Sequence, residues 1–125
     1  HGRPLSFSGL RMRPRDLAKI GRLVLNKGRW NNRQIVPESW IDISLTPRQK
    51  TGVSNFTYGH QWWAGTVEWQ GRKIPWHAGF GNGGQRLFMV PELDMVVVTT
   101  AGAYDEEATA IRVNRLLQEI VDSAR

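Results

Sequence analysis

The stretch His77-Ala78-Gly79-Phe80-Gly81-Asn82-Gly83-Gly84-Gln85 constrains this chain more than any other. It runs directly into Arg86-Leu87-Phe88-Met89-Val90, and after Pro91-Glu92-Leu93-Asp94 into the apolar run Met95 to Val98. Glycines at 79, 81, 83 and 84, set before a strand and hairpin, let main-chain amides approach a ligand closely. Such a segment reads a substrate with backbone groups. It does no covalent chemistry until another segment supplies a nucleophile and a base, and none is found in these residues.

With 125 residues the chain has enough length for one domain and one modest core. Hydrophobic residues make up 40%, and no low-complexity run interrupts them, which places the chain among globular proteins. The absence of cysteine excludes disulfides and thiolate chemistry but leaves localisation open, periplasmic, secreted or cytoplasmic. No apolar stretch approaches the roughly 20 residues that span a bilayer, so no membrane partner is expected. The opening His1-Gly2-Arg3-Pro4 lacks both a methionine and the pattern of a signal peptide, and suggests an artificial boundary or a cut inside a longer protein.

Charge is uneven. Residues 1–50 carry 11 Lys and Arg against 3 Asp and Glu, a balance of +8, and residues 51–125 carry 6 against 8, a balance of −2; together these give the net +6. A stand-alone basic module gripping nucleic acid or an acidic partner through Trp62, Trp63 and Trp69 is one reading of that asymmetry. A solvated basic helix face is the better one, because basic residues and aromatics do not interleave on one strand pattern. Nucleic acid is therefore not the expected partner.

Pro14, Asp16 and the stripe Leu17, Ile20, Leu23, Val24 predict a helix that stops at Gly28. Val36 to Ile43, with Pro37 at its entry and Pro47 beyond, predicts a shorter one. Arg48 to Phe56 reads as a loop. Strands are expected over Tyr58 to Ala64, Val67 to Trp69, Arg72 to His77, Gln85 to Val90 and Met95 to Thr100, with Gln70-Gly71 and Pro91 to Asp94 as turns. Asp105-Glu106-Glu107 opens a last helix whose apolar face is Ala110, Val113, Leu117, Ile120 and Val121. The expected class is α+β, an antiparallel sheet covered by helices, in one unit 1–125 with a helical region 1–57 and a sheet-plus-helix region 58–125.

Five phrases in series carry a resemblance. They are Gly9 to Gly21, Gly28-Arg29-Trp30-Asn31, Ile35-Val36-Pro37-Glu38-Ser39-Trp40, Tyr58-Gly59-His60-Gln61-Trp62-Trp63, and Gly83-Gly84-Gln85 with Val90-Pro91-Glu92-Leu93-Asp94. In order and spacing the chain resembles the C-terminal part of serine beta-lactamase-related hydrolases. The branch is the class C or penicillin-binding-protein-like one, with its esterases, peptidases and 6-aminohexanoate-dimer hydrolases. The resemblance implies the C-terminal portion of the beta-lactamase/transpeptidase-like fold. It also implies an acyl-enzyme mechanism on an amide or ester, with no cofactor and no metal.

Enzymes of that kind use Ser-x-x-Lys, a Tyr-x-Asn-like element, and a Lys-Thr-Gly or His-x-Gly strand. The serines here are followed three residues later by Gly9, Arg11, Asp42, Pro47 and Thr57, and Ser123 is too near the end; Tyr58 and Tyr104 are followed by His60 and Glu106. The first two elements are missing, so the chain alone is expected to be inactive. For the third, Lys50-Thr51-Gly52 matches in letters but stands too early, before several strands. His77-Ala78-Gly79 stands where two strands and a helix follow, and Gly81-Asn82-Gly83 is the alternative register.

The resemblance then makes the backbone N–H of Phe80 an oxyanion donor on an extended edge strand. It has His77 hydrogen-bond substrate or a proton network, and Ala78, Gly79, Gly81 and Asn82 line the substrate. Trp62 and Trp63 are expected in the core. The expected partners are a small amide or ester substrate, the N-terminal part of the same protein and, through an exposed sheet edge, a second copy.

Overall fold

The computed structural model describes residues 9–124, so the opening His1-Gly2-Arg3-Pro4 lies outside it. Three helices and eight strands follow in the order α1 (Pro14–Leu25), β1 (Arg29–Trp30), β2 (Arg33–Gln34), α2 (Glu38–Leu45), β3 (Gln49–Lys50), β4 (Thr57–Gly59), β5 (Trp62–Trp69), β6 (Arg72–Gly81), β7 (Gln85–Val90), β8 (Met95–Thr99) and α3 (Glu107–Ser123). The class is α+β, as expected. β3 to β8 form one antiparallel sheet in simple sequential order, and β1 and β2 pair apart from it.

Three of the hairpins share one turn geometry. Asn31-Asn32, His60-Gln61 and Gln70-Gly71 all hold positive φ at both turn positions, the two-residue geometry whose twist matches that of the strands. Pro91–Leu93 makes a short 3-10 turn closed by Asp94 in the left-handed region. Helix α1 starts on Pro14 and ends where Lys27 and Gly28 turn left-handed, the Gly28 N–H donating to the Leu23 carbonyl at 2.8 Å.

Side chains alternate along the strands, so the sheet has two packed faces. On one lie Val67, Ile74, Trp76, Ala78, Phe88 and Val90, covered by Val113, Leu117 and Val121 of α3. The last helix therefore covers the sheet as its apolar stripe required. On the other face Met89 meets Val24 of α1 and Ile41 of α2. Helix α1 lies directly on β7 and β8: a Cβ at Gly21 would come within 2.7 Å of Val96 Cγ1, so glycine is the residue that fits.

Three expectations need correction. The region 1–57 is not purely helical: it also contains β1, β2 and β3, and Gln49–Lys50 pairs with Thr57–Tyr58 inside the stretch expected as loop. The strand expected over Tyr58 to Ala64 is split by the turn His60-Gln61 into β4 and the start of β5, which then continues unbroken to Trp69. β6 runs on through Gly79 to Gly81 instead of ending at His77. Finally β6 is not an edge strand, since it pairs with β5 on one side and β7 on the other.

Candidate active site

The register explains how an interior strand can still offer a free amide. Residues flanking a two-residue hairpin turn form a hydrogen-bonded pair, and such pairs recur at every second residue. Counting from Trp69 opposite Arg72, these pairs are Val67 with Ile74, Gly65 with Trp76 and Trp63 with Ala78. The peptide groups of Ala78 thus face β5, those of Gly79 face β7, and those of Phe80 face the β5 side again. By then β5 has ended: its first residue, Trp62, is joined to β4 through the turn His60-Gln61. Gln61 would stand opposite Phe80, but it has left the ladder at φ 68°. Among the described residues, the Phe80 N–H therefore has no ladder partner.

The Phe80 side chain, in contrast, is held on every side. Its ring stacks on Trp63 at 5.1 Å between centroids and on Trp76 at 5.9 Å, and meets Phe88 edge-on at 5.7 Å. From β7, directly opposite in register, the Arg86 guanidinium lies over it at 4.2 Å. The backbone faces outward while the ring anchors inward.

His77 and Gly79 share the other face of β6. His77 stands between Ala64 and Met89 in register, and its Nδ1 is buried without a hydrogen-bond partner among the described residues. Burial lowers its pKa below the usual 6.5, and the charge of Lys27 lowers it further, so the imidazole is neutral near pH 7. Lys27 is itself tied to Asp42 at 2.6 Å, a hydrogen bond that raises its pKa. Beside Gly79 there is room: an added Cβ would meet nothing nearer than Trp62 Cζ3 at 3.9 Å.

The remaining predicted site residues divide. Ala78 is fully buried on the α3 face, so its methyl belongs to the core and its main chain to the pairing with Trp63. Gly81 ends the strand. Asn82 sits in the β6–β7 turn with its side chain spent on Asp105, donating from Nδ2 to the carboxylate at 2.8 Å and accepting the Asp105 N–H at 3.0 Å. Next to it Gly84 holds φ 90°, and a Cβ there would stand 3.0 Å from Thr109 and 3.1 Å from Ala101. Gln85 donates to the Ala101 carbonyl at 2.7 Å. Gly81-Asn82-Gly83 thus lies at a turn, whereas His77-Ala78-Gly79 lies within a strand. A hollow of about 190 Å³ between this turn and Asp105, Glu106 and Glu107 of the α3 entry includes neither His77 nor Gly79.

Lys50-Thr51-Gly52 stands at the far edge of the sheet, three strands from β6 in the sheet order, with Lys50 exposed. The tryptophans do not form one platform. Trp62 packs with the cluster around Met89, whereas Trp63 and Trp69 pack on the α3 side.

Arg86 was not singled out in the sequence. Its signal is a lone charge in the otherwise apolar run Leu87 to Val90, one alternation step from Phe88 and so on the buried face.

This α+β fold has counterparts among the beta-lactamase-related hydrolases. Two comparisons give that likeness names. The chain is 28% identical over 99 aligned residues to the 6-aminohexanoate-dimer hydrolase of Paenarthrobacter ureafaciens, covering 72% of this chain and 24% of that protein. It is also similar in structure to a Bacillus anthracis protein provisionally assigned as a 6-aminohexanoate-dimer hydrolase, with a TM-score of 0.64, 26% identity, and coverage of 86% of this chain and 28% of the other. No family model matches. The chain spans about a quarter of the length of the curated relative it matches.

Proposed function

We propose that this chain is the C-terminal segment of a beta-lactamase-like serine hydrolase that cleaves an amide or ester through an acyl-enzyme. On this reading the Phe80 N–H is one of two oxyanion donors, and the other is the amide of a serine that lies outside the chain. A donor of this kind contributes about 10²- to 10³-fold in rate when it points at the charge that develops in the transition state. The neutral imidazole of His77, on the same face of β6 as Gly79, hydrogen-bonds substrate or the proton carriers. Gly79 leaves space for the acyl group, and the main chain of Gly81 bounds it. The single observation carrying the proposal is the direction of the Phe80 peptide, aimed at the side from which β5 has turned away.

The nucleophile and base come from a Ser-x-x-Lys element elsewhere in the protein. The 6-aminohexanoate dimer, named in both relatives, is the first amide to try. The partner is the rest of the hydrolase, and β8 is the edge that receives it. Its five residues, Met95–Thr99, carry no charge and no proline, so little blocks the addition of a strand. In isolation the same edge takes a second copy.

The test uses the purified 125-residue protein with a chromogenic ester and the 6-aminohexanoate dimer. No turnover is expected alone. Turnover is expected once a segment with Ser-x-x-Lys and Tyr-x-Asn is supplied, and it should fall about 10²-fold or more when the Phe80 amide is replaced by an ester linkage. Turnover by the chain alone, abolished by one side-chain substitution in it, contradicts the proposal.

A further inference from the structure

Arg86 is an expensive residue to place where it stands. It is 5% exposed, and among the described residues no carboxylate forms an ion pair with it, although four ion pairs form elsewhere on the surface. Burial lowers its pKa, and an arginine side chain stays charged regardless. A buried charge without a counterion is costly unless hydrogen bonds and ring contacts compensate for it. Its contacts indicate what it does instead.

Nη1 donates to the Gly81 carbonyl at 2.8 Å and to the Gln85 carbonyl at 2.9 Å, the two residues that flank the β6–β7 turn. Nε donates to Asn114 Oδ1 of α3 at 3.3 Å. The guanidinium plane covers the Phe80 ring, while Trp63 stacks on that ring from the strand on the opposite side of β6. One planar cation therefore ties the Gly81 carbonyl, the ring of Phe80 and the covering helix into one unit. On the β5 side the ladder has ended at this point, so β7, the Arg86 side chain and the packed ring are what hold the end of β6.

We infer that Arg86 is a positioning residue, which clamps the Phe80 ring and the Gly81 carbonyl so that the unpaired Phe80 N–H keeps a fixed direction at the strand end. The inference rests on the acyl-transfer reading for its purpose but not for its test. A planar fork is required, because a single ammonium nitrogen cannot serve the two carbonyls that Nη1 bridges and also reach Asn114 with a flat group over the ring.

The experiment is backbone ¹⁵N relaxation on the 125-residue protein and its Arg86→Met and Arg86→Lys variants. In the unsubstituted chain the Phe80 N–H should show an order parameter near 0.85 despite lacking a ladder partner, the value of rigid backbone. In both variants it should fall below about 0.6 at Phe80 and Gly81, with Ala78 and Phe88 unchanged. In Arg86→Ala, tens of millimolar guanidinium should restore the order and methylammonium should not. Should these variants fail to fold, Asn114→Ala, which frees only the Nε contact, should give a smaller loss at the same two residues. Unchanged order at Phe80, or loosening spread equally over Ala78 and Phe88, overturns the inference. Either result leaves the acyl-transfer reading standing, since that reading fails only on turnover.

Discussion

The two ends of the β6–β7 hairpin unit face different neighbours, and the contrast separates scaffold from site. Toward α3, the turn is closed by Asn82 with Asp105, Gln85 with Ala101, Thr99 with Gly84, and Arg86 with Gly81. Hydrogen bonds from four side chains close this turn, although the Gln85 Oε1 is left buried without a partner, and at Gly84 glycine is demanded by steric closeness. A few residues earlier on the other face, His77 keeps a buried nitrogen without a partner and Gly79 borders open space. Buried polar groups are normally satisfied, and on the proposed reading the unpartnered His77 nitrogen beside the free Phe80 amide is where substrate or the rest of the enzyme supplies the partner. Glycines of one sequence run thus serve opposite ends.

The strongest challenge to this contrast is aimed at the anchor. Trp76 is 3% exposed and touches Phe56, Phe80 and Phe88. Trp76→Ala should cost about 3–5 kcal/mol, a large part of what a domain this size possesses. Urea denaturation followed by tryptophan fluorescence and circular dichroism measures it. A cost under about 1 kcal/mol would mean that the α3-face cluster does not hold the strand end.

Glycine substitutions sharpen the comparison further. Gly84→Ala must place a methyl at φ 90° against Thr109, Ala101 and Val113, and should cost about 2 kcal/mol. Gly79→Ala has neither positive φ nor a close neighbour, and should change stability by less than about 0.5 kcal/mol. In the reconstituted enzyme the order should reverse, the added methyl at 79 intruding on the acyl group. Equal costs for both in denaturation would erase the distinction between closed and open ends.

The same distinction explains what could be seen in the residues beforehand. Pro14 and Gly28 bracket α1 because both act through local backbone geometry, and the α3 stripe from Val113 to Val121 appears as periodicity. β3 has no apolar pattern, so its pairing with β4 is a tertiary fact invisible in Gln49-Lys50. The break expected between Ala64 and Val67 is absent because the Trp76 ring lies against the backbone of Gly65, where any side chain would collide. β6 runs longer than expected because Gly79 and Gly81 are held by pairing with β7, which overrides their weak strand propensity. The His60-Gln61 turn contains neither glycine nor asparagine and gives no local sign that β5 stops short of Phe80. Of the candidate site, the strand position of His77 was legible; the burial of Arg86 and the hydrogen bonds of Asn82 depended on contacts across the sheet and helix.

A smaller effect is expected at Asn82. Asn82→Ala removes two hydrogen bonds to Asp105 at an exposed turn, and should cost about 1 kcal/mol. Thermal unfolding reads it directly. No change would show that the turn is closed by Arg86 and Gln85 alone.

The smallest effect concerns pH, and its sign is fixed by the direction of the His77 shift. Because the folded chain lowers this pKa below 6.5, the unfolded chain takes up its proton first on acidification. Stability is then unaffected by His77 well above pH 6.5, falls as pH drops below that value, and levels off once the folded-state pKa is passed. His77→Gln should remove this component and flatten the unfolding midpoint between about pH 7 and 5. The same substitution keeps a neutral hydrogen-bonding side chain beside Gly79. A pH slope identical to that of the unsubstituted chain would place the imidazole in water, and the orphaned Nδ1 would then no longer point to a missing partner.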